Sequence, residues 1–387
     1  MPEGVHRELI SEIRRRVRFD RNELAGAFGD IGTDLPLLVG MILASGADSA
    51  SVLIVFGFLQ VFTALMYGIP MPVQPLKAVA TLVIAQQLPA SILYGAGFAI
   101  GAAMLLLTVT GGIDWLARII PHAVIRGIQF GLGLQLSLLA VSTYVPSDGI
   151  TGFILAGVAF VVIIALLGNR KYPPALVVIG LGFLYALLFQ IDTSTLGSSL
   201  GFSLPSLHVP STKDMVQGFL LLGLAQIPLS LGNSLLATHQ LVHDYFPSRS
   251  ITLKKIGTTY SLMNLVAPFL GGVPVCHGSG GIAGHYLFGA RTGGSVVIYG
   301  VVFLTIGLFF NAGFSEVIKV FPLPLLGVIL FFEGIALIRL SRDTMDSPFH
   351  FFVAIIVGVI CVGLPYGYIV GLIMGTAILR FAKGETS

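Results

Sequence analysis

The chain has 387 residues, of which 55% are hydrophobic and 10% charged, with a formal net charge of +3. This composition provides too little polar surface for a water-soluble globular protein, so it favours a chain that is embedded in lipid. The two cysteines, Cys276 and Cys361, lie in apolar stretches, which argues against a disulfide framework, a CxxC metal site and redox chemistry.

The N-terminal segment, residues 1–23, is rich in arginine and also contains acidic residues. We expect it to form a short amphipathic helix on the anionic cytoplasmic face of a membrane. A secretory signal peptide is a poor alternative, because the apolar stretch that follows contains Asp30 and Asp34 and has no small-residue cleavage pattern.

Runs of about 20 apolar residues, long enough to cross the hydrocarbon core as a helix, recur along the rest of the chain. The pattern predicts an all-α polytopic membrane protein with fourteen spans, at 24–45, 52–68, 70–90, 92–109, 121–142, 150–168, 173–190, 215–240, 256–270, 273–290, 294–311, 322–339, 347–363 and 365–382. If the N-terminus is cytoplasmic, only Lys213 and Lys319 among the basic residues of the loops lie on the side of the membrane away from the cytoplasm. This excess of basic residues in cytoplasmic loops agrees with the positive-inside rule. We therefore expect both termini on the cytoplasmic side of the plasma membrane.

Five charged residues fall within predicted spans: Asp30, Asp34, Lys77, Arg126 and Glu333. A charge at membrane depth is costly, so each of these residues is a candidate for function. The alternative is a charge that pairs structurally or extends to the interface, and that alternative stays open most clearly for Arg126 and Glu333.

Short sequence matches link the two halves of the chain. Residues 34–40 (DLPLLVG) in the first span resemble residues 226–232 (QIPLSLG) in the eighth, and residues 71–75 (MPVQP) in the third resemble residues 273–277 (VPVCH) in the tenth. Seven spans per half is an odd number, so matching segments cross the membrane in opposite directions. The pattern predicts a seven-plus-seven inverted repeat, which is typical of secondary transporters.

The third and tenth spans cannot begin as regular helices. Prolines at positions 70, 72 and 75 prevent it in the third span, and Pro274 with the glycines after Cys276 does so in the tenth. We expect in each a short extended segment, which at membrane depth must line a cavity, followed by a half-helix. The inverted topology brings the half-helix N-termini together near the midplane, where their N–H groups and dipoles, with Lys77, predict an anion site.

Polar residues of the first and eighth spans are expected to form the walls of this site. Gln226, Ser230 and Asn233 share one helical face and predict hydrogen-bond donors to a ligand, with polar contact between helices as the alternative. The first helix is expected to break at Pro36, beside Asp34, and Asp30 to act as a cap.

A carboxylate next to an anion site repels the anion unless the carboxyl group is protonated. Asp34 is therefore a candidate for proton coupling, and His277 and Glu333 are further candidates.

Parts of the sequence are also compatible with two other classes of function, a serine hydrolase and a channel. Residues 277–281 (HGSGG) suggest an intramembrane serine hydrolase with Ser279 as nucleophile, but no GxSxG surrounds this serine, so no catalytic residue is predicted. A channel also fits two opposed half-helices, although an occluded, titratable site favours alternating access. The spacing of His239 and His243 is weak evidence for a metal, and neither a metal nor a cofactor is expected.

Three segments carry a family resemblance: residues 28–36 (FGDIGTDLP), 70–78 (PMPVQPLKA) and 271–291 (GGVPVCHGSGGIAGHYLFGAR). Through them the chain resembles the molybdate transporter family, a branch of the sulfate permease superfamily. The resemblance implies a core domain (24–110 and 214–312) that moves against a gate domain (121–190 and 322–382). It also implies molybdate as substrate and a homodimer. The superfamily's C-terminal regulatory domain is not expected, because the chain ends at Ser387.

The resemblance also implies which residues bind the anion. They are the starts of both half-helices and the walls provided by spans one and eight: Asp34, Gln74, Pro75, Leu76, Lys77, Ala78, Gln226, Ser230, Cys276, His277, Gly278, Ser279 and Gly280. Sulfate and tungstate are similar tetrahedral dianions, so a sulfate or tungstate permease of the same fold stays the alternative. The expected partners are the oxyanion and the lipid bilayer, and no nucleic acid.

Overall fold

The structure is a computed structural model that describes residues 16–27, 29–167, 172, 174–190, 201–310, 314 and 321–384. Most of the predicted amphipathic segment 1–23 lies outside the described residues, as does Lys319. The described part is mainly helical, with one two-stranded antiparallel ribbon formed by β1 (Val73–Pro75) and β2 (Val275–His277).

The helices are numbered in chain order. They are α1 (Arg21–Ala27), α2 (Ile31–Ser45), α3 (Ser49–Tyr67), α4 (Lys77–Gln86), α5 (Ala90–Thr110), α6 (Gly112–Ile119), α7 (His122–Tyr144), α8 (Gly149–Ala165), α9 (Pro174–Phe189), α10 (Thr212–Tyr245), α11 (Leu253–Val266), α12 (Ser279–Leu287), α13 (Gly294–Phe309), α14 (Leu323–Thr344), α15 (Pro348–Gly363) and α16 (Gly367–Gly384).

Five of the described helices, α3, α5, α7, α10 and α14, are long and apolar enough to cross a membrane, and several shorter apolar helices lie between them. The outer surface agrees with this composition, because large apolar side chains such as Phe153 and Val161 on α8 and Leu188 on α9 are exposed. A surface of this kind is stable in hydrocarbon and would aggregate in water.

The expected break of the first helix at Pro36 is wrong. Helix α2 continues through Pro36 as far as Ser45. The non-helical residues lie earlier, at Gly29 and Asp30, between α1 and α2. Pro36 lies near the start of α2, so its missing N–H removes a single hydrogen bond close to a helix end.

The corresponding proline of the second half, Pro228, is also accommodated within a helix. Helix α10 continues through it, with π-helical turns at Phe219–Gly223 and Ser230–Ala237 on either side. Such turns absorb the irregularity that proline introduces.

The helices pack into two sets. The first set comprises α2–α5 and α10–α13, and the second comprises α7–α9 and α14–α16. Glycines bring backbones close within each set: a Cβ on Gly57 of α3 would meet the carbonyl of Gly300 on α13, and one on Gly133 of α7 would meet that of Gly334 on α14. Small residues at such crossings allow tight packing in a membrane.

The two sets meet along a surface that is largely apolar. On this surface α2 faces α9 and the start of α14 around a void of about 20 Å³. The side chains that line the void are Leu35, Pro36, Val39, Ile179, Phe183, Phe321, Leu326 and Ile329. Apolar contacts of this kind have no preferred direction, and the side chains around this void contribute no hydrogen bond between the two sets.

Candidate functional site

The ribbon aligns the two half-helices. In its antiparallel register Gln74 pairs with Cys276 and Pro75 with Val275, and the N–H of Leu76 donates to the carbonyl of Pro274 at 3.0 Å. Helix α4 begins at Lys77, directly after β1, and α12 begins at Ser279, directly after β2. Both helix N-termini therefore lie at the ribbon, as the proline and glycine positions predict.

The outer edges of the ribbon are satisfied by two side-chain amides. Gln60 of α3 donates to the carbonyl of Val73 at 2.6 Å and accepts from its N–H at 2.8 Å. Asn264 of α11 does the same with Val275, at 2.6 and 2.8 Å. All these groups are buried, so the amides replace the neighbouring strand that a buried sheet edge requires.

We call the paired hydrogen bonds of Gln60 with Val73 and of Asn264 with Val275 the amide clamps. They were not predicted from the sequence. Gln60 and Asn264 are polar residues in apolar spans, at equivalent places in the second and ninth spans, and that equivalence was the available signal. The clamps give the two halves of the chain matching structures around β1 and β2.

A cavity of about 250 Å³ lies where the two half-helices begin. Seven residues predicted from the sequence contact it: Lys77, Gln226, Asn233, Cys276, Ser279, Gly280 and Glu333. The other lining residues are Gln129, Leu229, Ser234, Ala336, Leu337 and Leu340. The cavity thus combines polar groups of the first helix set with one face of α14 from the second.

The face of α14 was only partly predicted. Glu333, Ala336, Leu337 and Leu340 follow the i, i+3, i+4, i+7 spacing of one helical face, so the position of Glu333 was sufficient to identify the other three. Gln129 on α7 was missed as well.

The N-terminus of α4 differs from expectation, because two of its N–H groups are not free. The Gln226 side-chain oxygen accepts from the N–H groups of Ala78, at 3.0 Å, and Val79, at 3.3 Å. The Gln226 amide nitrogen donates to Ser230, whose hydroxyl is 2.7 Å from that of Tyr260. Gln226 therefore caps α4, and Ser230 supports Gln226 from outside the cavity.

The N-terminus of α12 is more open. Within the described part of the chain, the N–H groups of Ser279, Gly280 and Gly281 have no hydrogen-bond acceptor. The Ser279 hydroxyl donates to Asn233 at 2.9 Å, and both residues line the cavity. Free N–H groups at a helix start attract an anion.

Several residues predicted to bind the anion lie behind the cavity wall. Gln74 donates to Asp30 at 2.5 Å, so the Asp30 side chain holds β1 and does not cap α2. Asp34 is fully buried and accepts from Tyr299 at 3.1 Å, and its second oxygen has no partner among the described residues.

The other half-helix start shows the same division. His277 points away from the cavity, with its Nε2 atom 2.8 Å from the Thr259 hydroxyl and the Tyr67 ring packed edge-on. Pro75, Leu76, Ala78 and Gly278 contribute backbone near the ribbon but do not line the cavity.

Charged side chains reach the cavity from both helix sets. Lys77 faces it from α4, and Glu333 faces it from α14, where its Oε1 atom also accepts a 3.1 Å hydrogen bond from Thr33 of α2. Arg126 is different, because it forms an ion pair with Asp343 and a 2.8 Å hydrogen bond with Gln129. Arg126 is therefore paired structurally with Asp343, which was the alternative to a functional role for this residue.

Solved structures share the fold of this chain. The transmembrane domain of the cyanobacterial bicarbonate transporter BicA matches with a TM-score of 0.67 at 18% identity, over 93% of this chain and 98% of that chain. SLC26A9 matches with a TM-score of 0.69 at 12% identity, over 93% of this chain and 65% of that one. The chain therefore has the membrane-embedded helical fold of these two proteins.

Sequence comparison narrows the class to a family. A profile described as "Molybdate transporter of MFS superfamily" matches residues 22–136 and 218–337. Molybdate transporter 2 of Arabidopsis thaliana is 34% identical, over 89% of this chain and 84% of the relative. Molybdate transporter 1 of the same plant is 31% identical, over 83% and 80%. The chain belongs to the molybdate transporter family and is an integral membrane transporter, not an enzyme.

Proposed function

We propose that this protein is a secondary transporter for molybdate and that the cavity between α4, α12 and α14 is its binding site. The observation that carries the proposal is the cavity itself, into which the Lys77 side chain and the open N-terminus of α12 both point. The names of the relatives supply the substrate, and the physical chemistry of the cavity supplies the preference for an anion.

The donors around the cavity suit a tetrahedral oxyanion. The N–H groups of Ser279–Gly281 can each approach one oxygen, and the Lys77 ammonium adds a full positive charge. Asn233, Ser234 and Gln129 offer further hydrogen bonds from the walls. Helix α4 contributes its dipole and Lys77, because Gln226 already occupies its N–H groups.

The proposed architecture has fourteen membrane segments arranged as a seven-plus-seven inverted repeat. The first half comprises α2–α5 and α7–α9, and the second comprises α10–α16. Matching amide clamps, strands and half-helices in the two halves support this arrangement. The first helix set then corresponds to the core domain (24–110 and 214–312) and the second to the gate domain (121–190 and 322–382).

The transport cycle proposed for this architecture is alternating access. The core domain slides along the apolar surface of the gate domain and exposes the cavity to each side in turn. Proton coupling belongs to the proposal, with Asp34, His277 and Glu333 as the groups that could carry the proton. A homodimer with cytoplasmic termini completes it.

Calorimetry with molybdate, tungstate, sulfate and uracil tests the substrate assignment. Molybdate should bind with saturable heat. Removing the charge in Lys77→Gln should weaken binding about ten- to a hundredfold, because a hydrogen bond to a charged group contributes about 1.5–3 kcal/mol. Lys213→Gln removes the same charge from the exposed start of α10 and should bind like the wild type.

Three outcomes would contradict the proposal. Tight sulfate or uracil binding without molybdate heat rules out the substrate. Wild-type affinity in Lys77→Gln means that the site lies elsewhere. Uptake into proteoliposomes that does not saturate with molybdate favours a channel over alternating access.

A further inference from the structure

One hydrogen bond crosses the surface between the two helix sets. The Thr33 hydroxyl on α2 donates to Glu333 Oε1 on α14 at 3.1 Å. It crosses a surface whose other contacts around α2 are apolar. The same Glu333 carboxylate lines the cavity, so a single side chain contacts both the candidate ligand and the opposite helix set.

The charges around Glu333 do not balance. Lys77 lies across the same cavity, with no carboxylate of the described residues within 4.0 Å, while Asp30 and Asp34 lie behind the cavity wall on the α2 side. Arg126 on α7 reaches the region only through Gln129 and is paired with Asp343. Adjoining elements also carry the Cys276 thiol, which lines the cavity, and the Tyr144 and Tyr185 phenols. His122 of α7 and His350 of α15 lie beside Asp343 in a separate pocket, and the Cys361 thiol is buried within the second set.

Lys77 is thus the one unpaired cation facing the cavity from the described residues, and three carboxylates surround it. A dianion that enters beside Lys77 meets Glu333 directly. An ionised Glu333 and the dianion then repel each other across a cavity of about 250 Å³.

We propose that Glu333 is the group that links occupation of the cavity to release of the core domain from the gate domain. This proposal rests on the proposed oxyanion site. In the empty protein the Glu333 carboxylate balances Lys77 and accepts the hydrogen bond from Thr33. When the oxyanion enters, it replaces Glu333 as the counter-charge of Lys77, and Glu333 takes up one proton from solvent and becomes neutral.

Protonation also weakens the contact with Thr33. A neutral carboxyl group is a poorer acceptor than a carboxylate, and its new O–H can donate to an oxygen of the bound oxyanion. The hydrogen bond across the domain surface is then lost or weakened, and only apolar contacts hold the domains at α2. Binding of the anion thereby makes sliding easier.

Two substitutions separate the two roles of Glu333. Glu333→Gln removes the charge but keeps a side-chain oxygen that can accept from Thr33. Thr33→Val removes the donor but keeps the charge. Glu333→Gln should change anion affinity and proton uptake. Thr33→Val should change how often the core domain separates from the gate domain and opens the cavity.

Calorimetry at pH 6 and pH 8, repeated in buffers with different ionisation enthalpies, measures both affinity and protons taken up. Glu333→Gln should bind molybdate at least about tenfold more tightly at pH 8 and take up about one proton fewer per anion. Asp346→Asn removes a carboxylate at the ends of α7 and α15, outside this cavity, and should match the wild type.

The second variant is followed without ligand. Cys276 lines the cavity, so its reaction rate with a charged thiol reagent, in a Cys361→Ala background, reports how often the cavity opens. Thr33→Val should raise this rate at least about threefold, a measurable weakening of domain contact for one lost hydrogen bond. The molybdate affinity of this variant should rise by a similar factor, because binding no longer costs this hydrogen bond.

The outcomes distinguish the two proposals. If the wild type binds molybdate while Glu333→Gln shows unchanged affinity and unchanged proton uptake, the role of Glu333 is refuted and the oxyanion site stands. If Thr33→Val leaves the Cys276 rate unchanged, the hydrogen bond does not hold the domains. If the wild type gives no heat with any oxyanion, both proposals fail. Size-exclusion profiles of both variants check that each is folded.

Discussion

Replacing Asn264 by leucine tests whether the amide clamps hold the ribbon. Leucine branches at the same carbon as asparagine but has no polar atoms, so Asn264→Leu leaves the N–H and C=O of Val275 buried without partners. A buried unsatisfied group costs about 1–3 kcal/mol, and two such groups therefore predict a loss of about 2–6 kcal/mol in unfolding free energy. Typical hydrogen bonds between membrane helices contribute less, because their groups find other partners.

The equilibrium unfolding of purified protein in mixed micelles, titrated with SDS, measures this loss. Gln60→Leu frees the same two backbone groups on Val73 and should lose a similar amount. Gln240→Leu removes an exposed amide that bonds Asp244 and should stay within about 0.5 kcal/mol of the wild type. An Asn264→Leu protein as stable as the Gln240→Leu control would refute the view that these amides satisfy the ribbon edges.

Three further predictions concern individual contacts. Ser279→Ala removes the hydroxyl that bonds Asn233 beside the open helix start, and calorimetry should show molybdate binding weakened about fivefold, the equivalent of about 1 kcal/mol. Tyr299→Phe leaves buried Asp34 without its hydrogen bond, and SDS titration should show a loss of about 1–3 kcal/mol, whereas unchanged stability would mean that Asp34 has another partner. Gly57→Val places a side chain against the backbone of α13, and its yield of monodisperse protein should fall well below that of Gly157→Val on α8, which meets open space.

Prolines made the centre of this protein predictable from sequence. Several prolines close together, as at positions 70, 72 and 75, disfavour helix, so the extended segments and the half-helix starts were predictable. The same argument was wrong at Pro36, because a single proline near a helix start removes one bond and the helix continues. Composition and spacing were also sufficient to predict a mainly helical membrane protein.

Contacts between distant segments were much harder to predict. Gln226 was placed correctly near the half-helix start but was interpreted as a ligand group, although it caps α4. Gln74 likewise bonds Asp30 and does not contact the cavity. Which side chains face a cavity depends on the rotation of each helix about its axis. A π-helical turn such as Ser230–Ala237 changes that rotation without a sequence signal.

The ribbon joins segments that are made at different times. Pro75 pairs with Val275, which lies 200 residues later in the chain. At a synthesis rate of about 5–20 residues per second, β1 enters the membrane about 10–40 s before its partner exists. Gln60 precedes β1 in the chain and can bind Val73 at once. The clamp on β1 therefore also protects a half-built membrane protein, by covering one edge of a strand while the ribosome completes the other.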